Sequence, residues 1–325
     1  MNHWVKGLAM LLGVQLIVLA IGYLGPDTGA GDEPTFLAMI DMGAVDRVSV
    51  TDGDGASVAL RRVAQQWQLA DGLPVDEEKL TTLLDKIGGL KTGWPVSRSK
   101  EAQQRFEVGE EKFQRRLELG VGDEVTELYF GTSPGYQQVH ARGATESVYA
   151  VKLSNFELPT AEDDWLDTGL LRPSGDITQA TFTAGASAAE VSARVARDGE
   201  NWLVDDQPVD SAAVSAVWDK LAGLSVLGIA APDQTTVSDR QLLLLTDAVG
   251  ELRLEFTRTG ENEDYVVQSS RFPDNYFRVA ASTAEGIVDG ITEAVAGGGG
   301  VAESASATPS EPTDIVENSG EDQAQ

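Results

Sequence analysis

The sequence predicts an α+β protein in which one N-terminal transmembrane helix is followed by two tandem, homologous domains. Each domain is expected to be a mainly antiparallel sheet with one main packed helix. Two observations lead to this prediction. One pattern of residues appears twice, about 135 residues apart, first around Trp67 and again around Trp202. The chain also begins with an apolar segment, residues 8–24, that contains no charged residue.

The repeated pattern consists of a tryptophan, a Val-Asp pair and an apolar stripe that ends in Gly-Leu. The matching segments are Trp67-Gln68-Leu69 with Trp202-Leu203-Val204, Val75-Asp76 with Val209-Asp210, and residues 83–90 with 217–224. Repetition at a fixed spacing indicates that one structural unit occurs more than once. At 325 residues the chain is long enough for two ordinary domains, each with its own core.

Alternating polar and apolar residues predict the strands of each copy. In the first copy, residues 47–51 and 57–63 flank Asp52-Gly53-Asp54-Gly55, which is typical of a β-hairpin turn. A third short strand is expected at 67–69. The remaining predicted strands are 116–121, 127–131, 138–142 and 148–152 in the first copy, and 177–183, 241–246, 251–257, 265–269 and 276–280 in the second.

A helix is predicted after the tryptophan segment of each copy. Asp76 is a suitable N-cap in the first copy, and Asp210 or Ser211 takes that place in the second. The apolar stripes are Leu80, Leu83, Leu84 and Ile87 in the first helix, and Val214, Val217, Trp218 and Leu221 in the second. A helix with one apolar side must bury it, and the sheet of its own copy is the expected surface.

These patterns divide the chain into six parts. They are a transmembrane anchor (1–25), a linker (26–35), the first domain (36–160), a connector (161–176), the second domain (177–296) and a disordered acidic tail (297–325). The connector contains Pro173 and Gly175, which end any helix there. The tail consists mostly of Gly, Ala, Ser, Pro and acidic residues without a basic one, which is typical of disorder.

The N-terminal segment predicts a single-pass protein of the cytoplasmic membrane. Residues 8–24 span roughly 26 Å as a helix, and extension back to Trp4 covers a bilayer core of about 30 Å. Lys6 precedes the span and acidic residues follow it. The N-terminus is therefore expected inside, and the bulk of the chain in the periplasm or extracytoplasmic space. The alternative is a cleaved signal peptide with Thr28-Gly29-Ala30 as its cleavage site.

The formal charge of -28 argues against nucleic-acid binding, because so acidic a surface repels phosphate backbones. The excess of acid is consistent with a saline habitat and equally with ordinary solubility. The chain has no cysteine, which excludes disulfides, thiolate nucleophiles and cysteine-based metal sites.

No motif predicts a catalytic, cofactor-binding or metal-ligating residue, and no cofactor is expected. The histidines His3 and His140 stand far apart, and His140 fits a partly exposed position in a strand. Asp52-Gly53-Asp54-Gly55 lacks the further ligands of an EF-hand loop. Gly120-Val121-Gly122 lies between two predicted strands, where a dinucleotide-binding loop would need a following helix.

The segment 97–116 differs from the rest of this acidic chain, because it holds six of the 24 basic residues. These are Arg98, Lys100, Arg105, Lys112, Arg115 and Arg116. One interpretation is a solvated loop or helix stabilised by salt bridges with the acids of the same segment. The other is a docking patch for a partner with acidic character.

The tryptophan hairpin, the Asp-capped helix and the strand Val148-Tyr149-Ala150-Val151, joined to an N-terminal anchor and the connector 165–171, resemble the bacterial domain of unknown function 4340 family. The resemblance covers roughly residues 45–279. One departure is Phe106-Glu107-Val108-Gly109, which stands where the family has a Gly-Leu-x-x-Pro-like turn. The resemblance implies a membrane-anchored envelope protein, often encoded beside subunits of gliding-type ABC transporters, and it implies no catalytic residues.

Taken together, these features lead us to expect a non-catalytic, membrane-anchored accessory or scaffold protein whose partner is an envelope or ABC-transporter protein. One alternative is a ligand-binding module that holds a polysaccharide or small molecule between the two copies. Another is a hydrolase that uses carboxylates alone, which would need two acids with displaced pKa values in one pocket.

Overall fold

The computed structural model describes residues 40–184, 191–199, 201–231, 240–258 and 265–298. The predicted anchor (1–25), the linker (26–35) and the tail beyond residue 298 lie outside these ranges. The chain divides into two compact units, and the boundary between them along the chain falls between Asp167 and Thr168, within the predicted connector. Among the described residues, no helix combines the length and apolar character needed to cross a membrane.

The described part of the first unit contains one antiparallel sheet of seven strands and two α-helices. The strands are β1 (Arg47–Asp52), β2 (Ser57–Val63), β3 (Gln66–Leu69), β4 (Arg115–Val121), β5 (Glu124–Phe130), β6 (Val139–Arg142) and β7 (Tyr149–Val151), and the helices are α1 (Glu77–Gly88) and α2 (Lys100–Arg105). Their order across the sheet is β3-β2-β1-β4-β5-β6-β7. Mainly antiparallel pairing with few helices agrees with the α+β class expected from the sequence.

Helix α1 forms where the sequence predicts it and for the predicted reasons. The Asp76 side chain accepts a hydrogen bond from the Lys79 amide at 3.0 Å, which satisfies one of the free amides of the first turn. The stripe of Leu80, Leu83, Leu84 and Ile87 is buried. Burial of this face is the main source of stability for a helix of only three turns.

The second unit has its own antiparallel sheet, with nine strands among its described residues. The strands are β8 (Gln179–Ala184), β9 (Val191–Asp198), β10 (Asn201–Val204), β11 (Gln207–Pro208), β12 (Val226–Ile229), β13 (Arg240–Thr246), β14 (Glu251–Arg258), β15 (Tyr265–Ser269) and β16 (Phe272–Val279). Their order is β11-β10-β9-β8-β13-β14-β15-β16-β12. Without the added strands β11 and β12, this is the order of the first sheet. Helix α3 (Ser211–Ala222), capped by Asp210, follows as α1 does in the first unit.

The expectation of one main helix per domain is wrong for the second unit, because a second helix, α4 (Ala281–Gly298), packs on α3. Its glycines lower the helix propensity of this segment and weaken the helix signal in the sequence. Burial of Ala284, Ile287 and Ile291 stabilises it instead. It continues to Gly298, so the first two residues of the predicted disordered tail are helical.

Candidate functional site

The basic segment 97–116 folds as α2 followed by a turn that leads into β4. Ser99 caps α2 by accepting a hydrogen bond from the Ala102 amide at 3.2 Å. After the helix, Glu107 adopts a φ of 56°, and Val108 is fully buried. This turn occupies the place where the family resemblance predicts a proline-containing turn, and a residue in the left-handed region reverses the chain here.

Arg142 is buried and stabilises this turn through a hydrogen bond to its backbone. Its Nε donates to the Val108 carbonyl at 2.7 Å, and its guanidinium lies 4.4 Å from the centroid of the Tyr129 ring. The Tyr129 hydroxyl donates to Glu127 Oε2 at 2.5 Å. Burial, followed by this hydrogen bond, raises the pKa of Tyr129 to about 12. Tyr129 therefore stays protonated near neutral pH, and the cluster supports the turn.

Several basic side chains of the segment are engaged within the first unit. Arg115 donates to the Leu158 carbonyl at 2.9 Å, Arg116 lies 3.0 Å from Glu118, Lys112 lies 3.0 Å from Glu107, and Arg105 stacks on Phe106 at 4.5 Å. Only the pair Lys112–Glu107 is a salt bridge within the segment, as the salt-bridged interpretation predicts, and the other three contacts are of different kinds or reach outside it. Arg98 and Lys100 are exposed. If this segment docks a partner, these two exposed residues are the first candidates for the contact.

His140 is buried, with 6% of its surface exposed, so the expectation of a partly exposed strand residue is wrong. Its ring stacks on Phe106 with 4.0 Å between centroids, and Nδ1 donates to the Thr132 carbonyl at 2.8 Å. Burial lowers the pKa of His140, the Thr132 carbonyl opposes this, and the nearby charge of Arg105 adds to it. His140 is thus a neutral core residue of β6. It contacts Phe106 after α2 by stacking and Thr132 after β5 by a hydrogen bond.

A second basic surface, which the sequence did not indicate, lies at the end of α1 beside β7. A groove of about 500 Å³ is lined by Lys86, Lys91 and Lys152 together with Leu90, Gln138 and Ala150. These are three of the eight lysines in the chain. Lys86 pairs with Glu157, whereas no ion pair to Lys91 or Lys152 forms within the part of the chain described here. We call this surface the lysine groove.

Three almost fully exposed aromatic residues neighbour the lysine groove along the chain. Trp94, Tyr136 and Phe156 are 93%, 89% and 94% exposed. Trp94 follows Gly93 of the groove, Tyr136 precedes Gln138 by two residues, and Phe156 is next to Glu157, the partner of Lys86. Large exposed aromatics are enriched at protein interfaces, because they bury much area at low cost in conformational entropy.

The remaining sequence motifs have structural roles. Asp52 accepts hydrogen bonds from the amides of Asp54 and Ala56, each at 3.0 Å, and so closes the predicted hairpin turn between β1 and β2. Gly122, with a φ of 56°, forms the turn between β4 and β5. His3 lies outside the described residues. Within the described ranges, no group of three or more His, Asp or Glu residues is placed to hold a metal ion.

Comparison with known proteins gave one result. A family model described as Domain of unknown function (DUF4340) matches residues 67–243. This range begins at Trp67 in β3 and ends within β13, so it includes parts of both units. The comparisons with curated proteins and with solved structures gave no match.

Proposed function

The chain belongs to the DUF4340 family, and we propose that it is a non-catalytic accessory or scaffold protein of an envelope complex. In this proposal residues 1–25 anchor it in the cytoplasmic membrane, and the two units work outside the cytoplasm. The single observation that supports a binding role is the lysine groove with its exposed aromatic neighbours. The link to a gliding-type ABC transporter rests on the family resemblance.

We further propose that the two units are copies of one ancestral domain. The shared strand order, the 12-residue helices α1 and α3 and the aspartate cap of each helix support this proposal. The units nevertheless differ at their surfaces. Helix α2 has no counterpart in the described part of the second unit, and the lysine groove belongs to the first. Divergence of this kind would let one copy dock while the other keeps a separate role.

The expected occupant of the lysine groove is an acidic segment of a protein partner. Lys91 and Lys152 supply positive charge, and Trp94 supplies apolar area next to it. The formal charge of -28 on the whole chain disfavours the approach of an acidic partner over most of the surface, so a basic site guides the orientation of approach.

Photo-crosslinking in native membranes tests this proposal directly. A photoreactive phenylalanine analogue replaces Trp94 in the full-length chain, and adducts are identified by mass spectrometry. The matched control carries the same analogue at Val249, which is 76% exposed in the second unit. We expect an envelope permease or another membrane protein, crosslinked through an acidic segment, at position 94 and not at position 249. Identical adducts at both positions, or none at position 94, would refute the proposal.

Charge reversal distinguishes docking at the lysine groove from docking at the basic segment 97–116. Lys91→Glu with Lys152→Glu changes the charge by the same amount as Arg98→Glu with Lys100→Glu, and all four side chains are exposed. We expect recovery of the crosslinked partner to fall at least tenfold for the first pair only. Loss for the second pair alone would assign docking to the basic segment, and equal loss for both would indicate non-specific charge attraction.

A further inference from the structure

A groove of about 340 Å³ lies entirely within the second unit, on the face of its sheet where β13, β14 and β15 are neighbours. Small-molecule sites usually have volumes of about 300–1,000 Å³, so the groove is large enough for a small ligand. Its lining includes Arg240, Arg253, Glu255, Gln268 and Ser270. Arg240 and Arg253 have 46% and 50% of their side-chain surface exposed, so both are open to solvent. We call this surface the arginine groove.

Two guanidinium groups converge on a single carboxylate oxygen in this groove. Nη2 of Arg240 donates to Glu255 Oε2 at 2.5 Å, and Nη2 of Arg253 approaches the same oxygen to 3.4 Å. Hydrogen bonds between a guanidinium and a carboxylate are usually about 2.7–2.9 Å long, so the second contact is long and adds little to the stabilisation of Glu255. Neither arginine forms another ion pair within the described ranges. One positive charge of the pair is therefore not neutralised.

Further hydrogen-bond donors line the groove beside the two arginines. Ser270 Oγ accepts a hydrogen bond from the Arg253 amide at 3.1 Å, which leaves the hydroxyl proton of Ser270 able to donate to a ligand. Gln268 Nε2 uses one of its two protons on the Pro273 carbonyl, at 2.6 Å. Each guanidinium carries five N–H donors in a planar fork, and most of them are not used by Glu255. A ligand with acceptor oxygens would meet all of these groups together.

The first unit shows that the fold does not require charged residues on this face of the sheet. The segment 127–130 of β5 matches 251–254 of β14 in sequence, and the two strands have equivalent places in the two strand orders. Tyr129, the counterpart of Arg253, is only 4% exposed and packs in a core cluster with Val108. The same face is thus buried in one unit, whereas in the described part of the other it carries half-exposed arginines.

The charges of the lining define the ligand. Two arginines and one glutamate leave the groove with one net positive charge, in a chain whose formal charge is -28. A cation would be repelled, and a neutral molecule would leave that charge without a partner. A phosphate monoester carries a charge of about -1.5 to -2 near pH 7, which would leave excess negative charge beside Glu255. A carboxylate supplies one negative charge, and its two oxygens match the planar fork of a guanidinium.

We propose that the arginine groove binds the carboxylate of a small, polar organic acid, such as a sugar acid. The carboxylate accepts hydrogen bonds from the solvent-exposed N–H groups of Arg240 and Arg253 and from the Ser270 hydroxyl. The polar remainder of the ligand bonds to Gln268. This inference goes beyond the proposed docking function and does not depend on it, because the lysine groove lies in the other unit.

Saturation-transfer difference NMR on the full-length chain in nanodiscs of zwitterionic lipid tests the proposal. The probes are D-glucuronate, D-galacturonate and L-lactate, with D-glucose as the neutral counterpart of glucuronate. We expect at least one of the acids to give a saturable signal, and we expect none from glucose or from empty nanodiscs. Inorganic phosphate is then added as a competitor. Its inhibition constant should exceed the dissociation constant of the acid.

Three variants complete the test. Arg253→Gln removes one guanidinium and leaves the pair of Arg240 and Glu255 in place, so we expect it to fold normally and to weaken acid binding roughly tenfold or more. Arg253→Lys keeps the charge without the fork and should weaken binding less. The matched control, Arg194→Gln, makes the same change of charge at an exposed position of β9 outside the groove. It should leave the dissociation constant within about twofold of its original value.

The proposal is wrong if none of the acids gives a saturable signal, or if glucose gives the same signal as glucuronate. An inhibition constant for phosphate below the dissociation constant of the acid would exclude a carboxylate as the preferred ligand. A loss of binding no greater for Arg253→Gln than for Arg194→Gln would show that the arginine groove is not the binding site.

Discussion

At the scale of single residues, burial decides which hydrogen bonds the polar side chains of the first unit form. His140 and Arg142 both lie on β6, and each directs its polar group at a backbone carbonyl, His140 at the segment after β5 and Arg142 at the turn that follows α2. His140 bonds to the Thr132 carbonyl and Arg142 to the Val108 carbonyl. A sequence shows the residue types but not these partners, because the partners come from separate parts of the chain.

We expect the stability of the first unit to depend on the protonation of His140. The pKa of His140 is lowered in the folded state, so folding favours the neutral ring. The contribution of His140 to the free energy of unfolding is fully present above the unfolded pKa of about 6.5. It is lost as the pH drops through that value toward the folded pKa. His140→Gln should remove this fall and should cost about 1 kcal/mol above pH 7 through loss of stacking on Phe106. Denaturant unfolding as a function of pH measures both effects.

A second variant checks the cause of this pH dependence. Arg105 lowers the pKa of His140 by its positive charge, so Arg105→Gln should raise that pKa and reduce the loss of stability in acid. If His140→Gln unfolds with the same pH slope as the original chain, other groups carry the dependence and our assignment is wrong.

At the scale of secondary structure elements, the contact between α3 and α4 depends on glycine. A Cβ atom added at Gly290 would lie 2.9 Å from Cγ2 of Val217, closer than carbon atoms normally approach. Val217 cannot move aside easily, because a β-branched side chain in a helix has one strongly preferred rotamer. The close approach also lets Lys220 Nζ donate to the Gly286 carbonyl at 2.7 Å. Glycine is therefore needed at position 290 for packing.

Two alanine substitutions in α4 should have opposite effects. Gly290→Ala should lower the free energy of unfolding by about 1–3 kcal/mol, because the added methyl group overpacks the contact with Val217. Gly286→Ala meets only the flexible end of Lys220 at 3.4 Å. It should raise stability by about 0.5–1 kcal/mol through higher helix propensity. Denaturant unfolding of both variants measures the difference, and equal effects would show that α4 does not pack on α3 as described.

At the scale of the whole molecule, the acidic surface should make stability depend on salt. A formal charge of -28 repels itself, and added salt shortens the Debye length from about 30 Å at 0.01 M to about 3 Å at 1 M. We expect the melting temperature to rise with NaCl concentration and then to level off.

The charge-reversal pairs offer an internal control for this salt effect. Lys91→Glu with Lys152→Glu makes the chain more acidic, so its melting temperature should rise more steeply with salt than that of the original chain. A melting temperature independent of salt in both chains would show that self-repulsion contributes little to stability.

Local elements were predicted well because their signals are local. The hairpin turn at Asp52, the helix α1 with its cap Asp76, and the strands β2 and β15 agree with the expected positions. The strands β9 and β12 and the helix α4 were missed. The strand β12 is only four residues long and carries no clear alternation, whereas α4 has an apolar stripe at helical spacing (Ala284, Ile287, Val288 and Ile291) that its glycines obscured.

The repeated pattern, the strands of the first unit along the chain, the helix caps and the hairpin turn follow from the sequence itself, because each depends on residues close together along the chain. The grouping of side chains into sites came only with the tertiary structure. The lysine groove brings Lys86 at the end of α1 beside Lys152 after β7, and a cleft in the second unit brings Asp176 beside Trp218. Such distant residues come together because sheet pairing and core burial bring their elements into contact. Local sequence patterns do not predict these contacts.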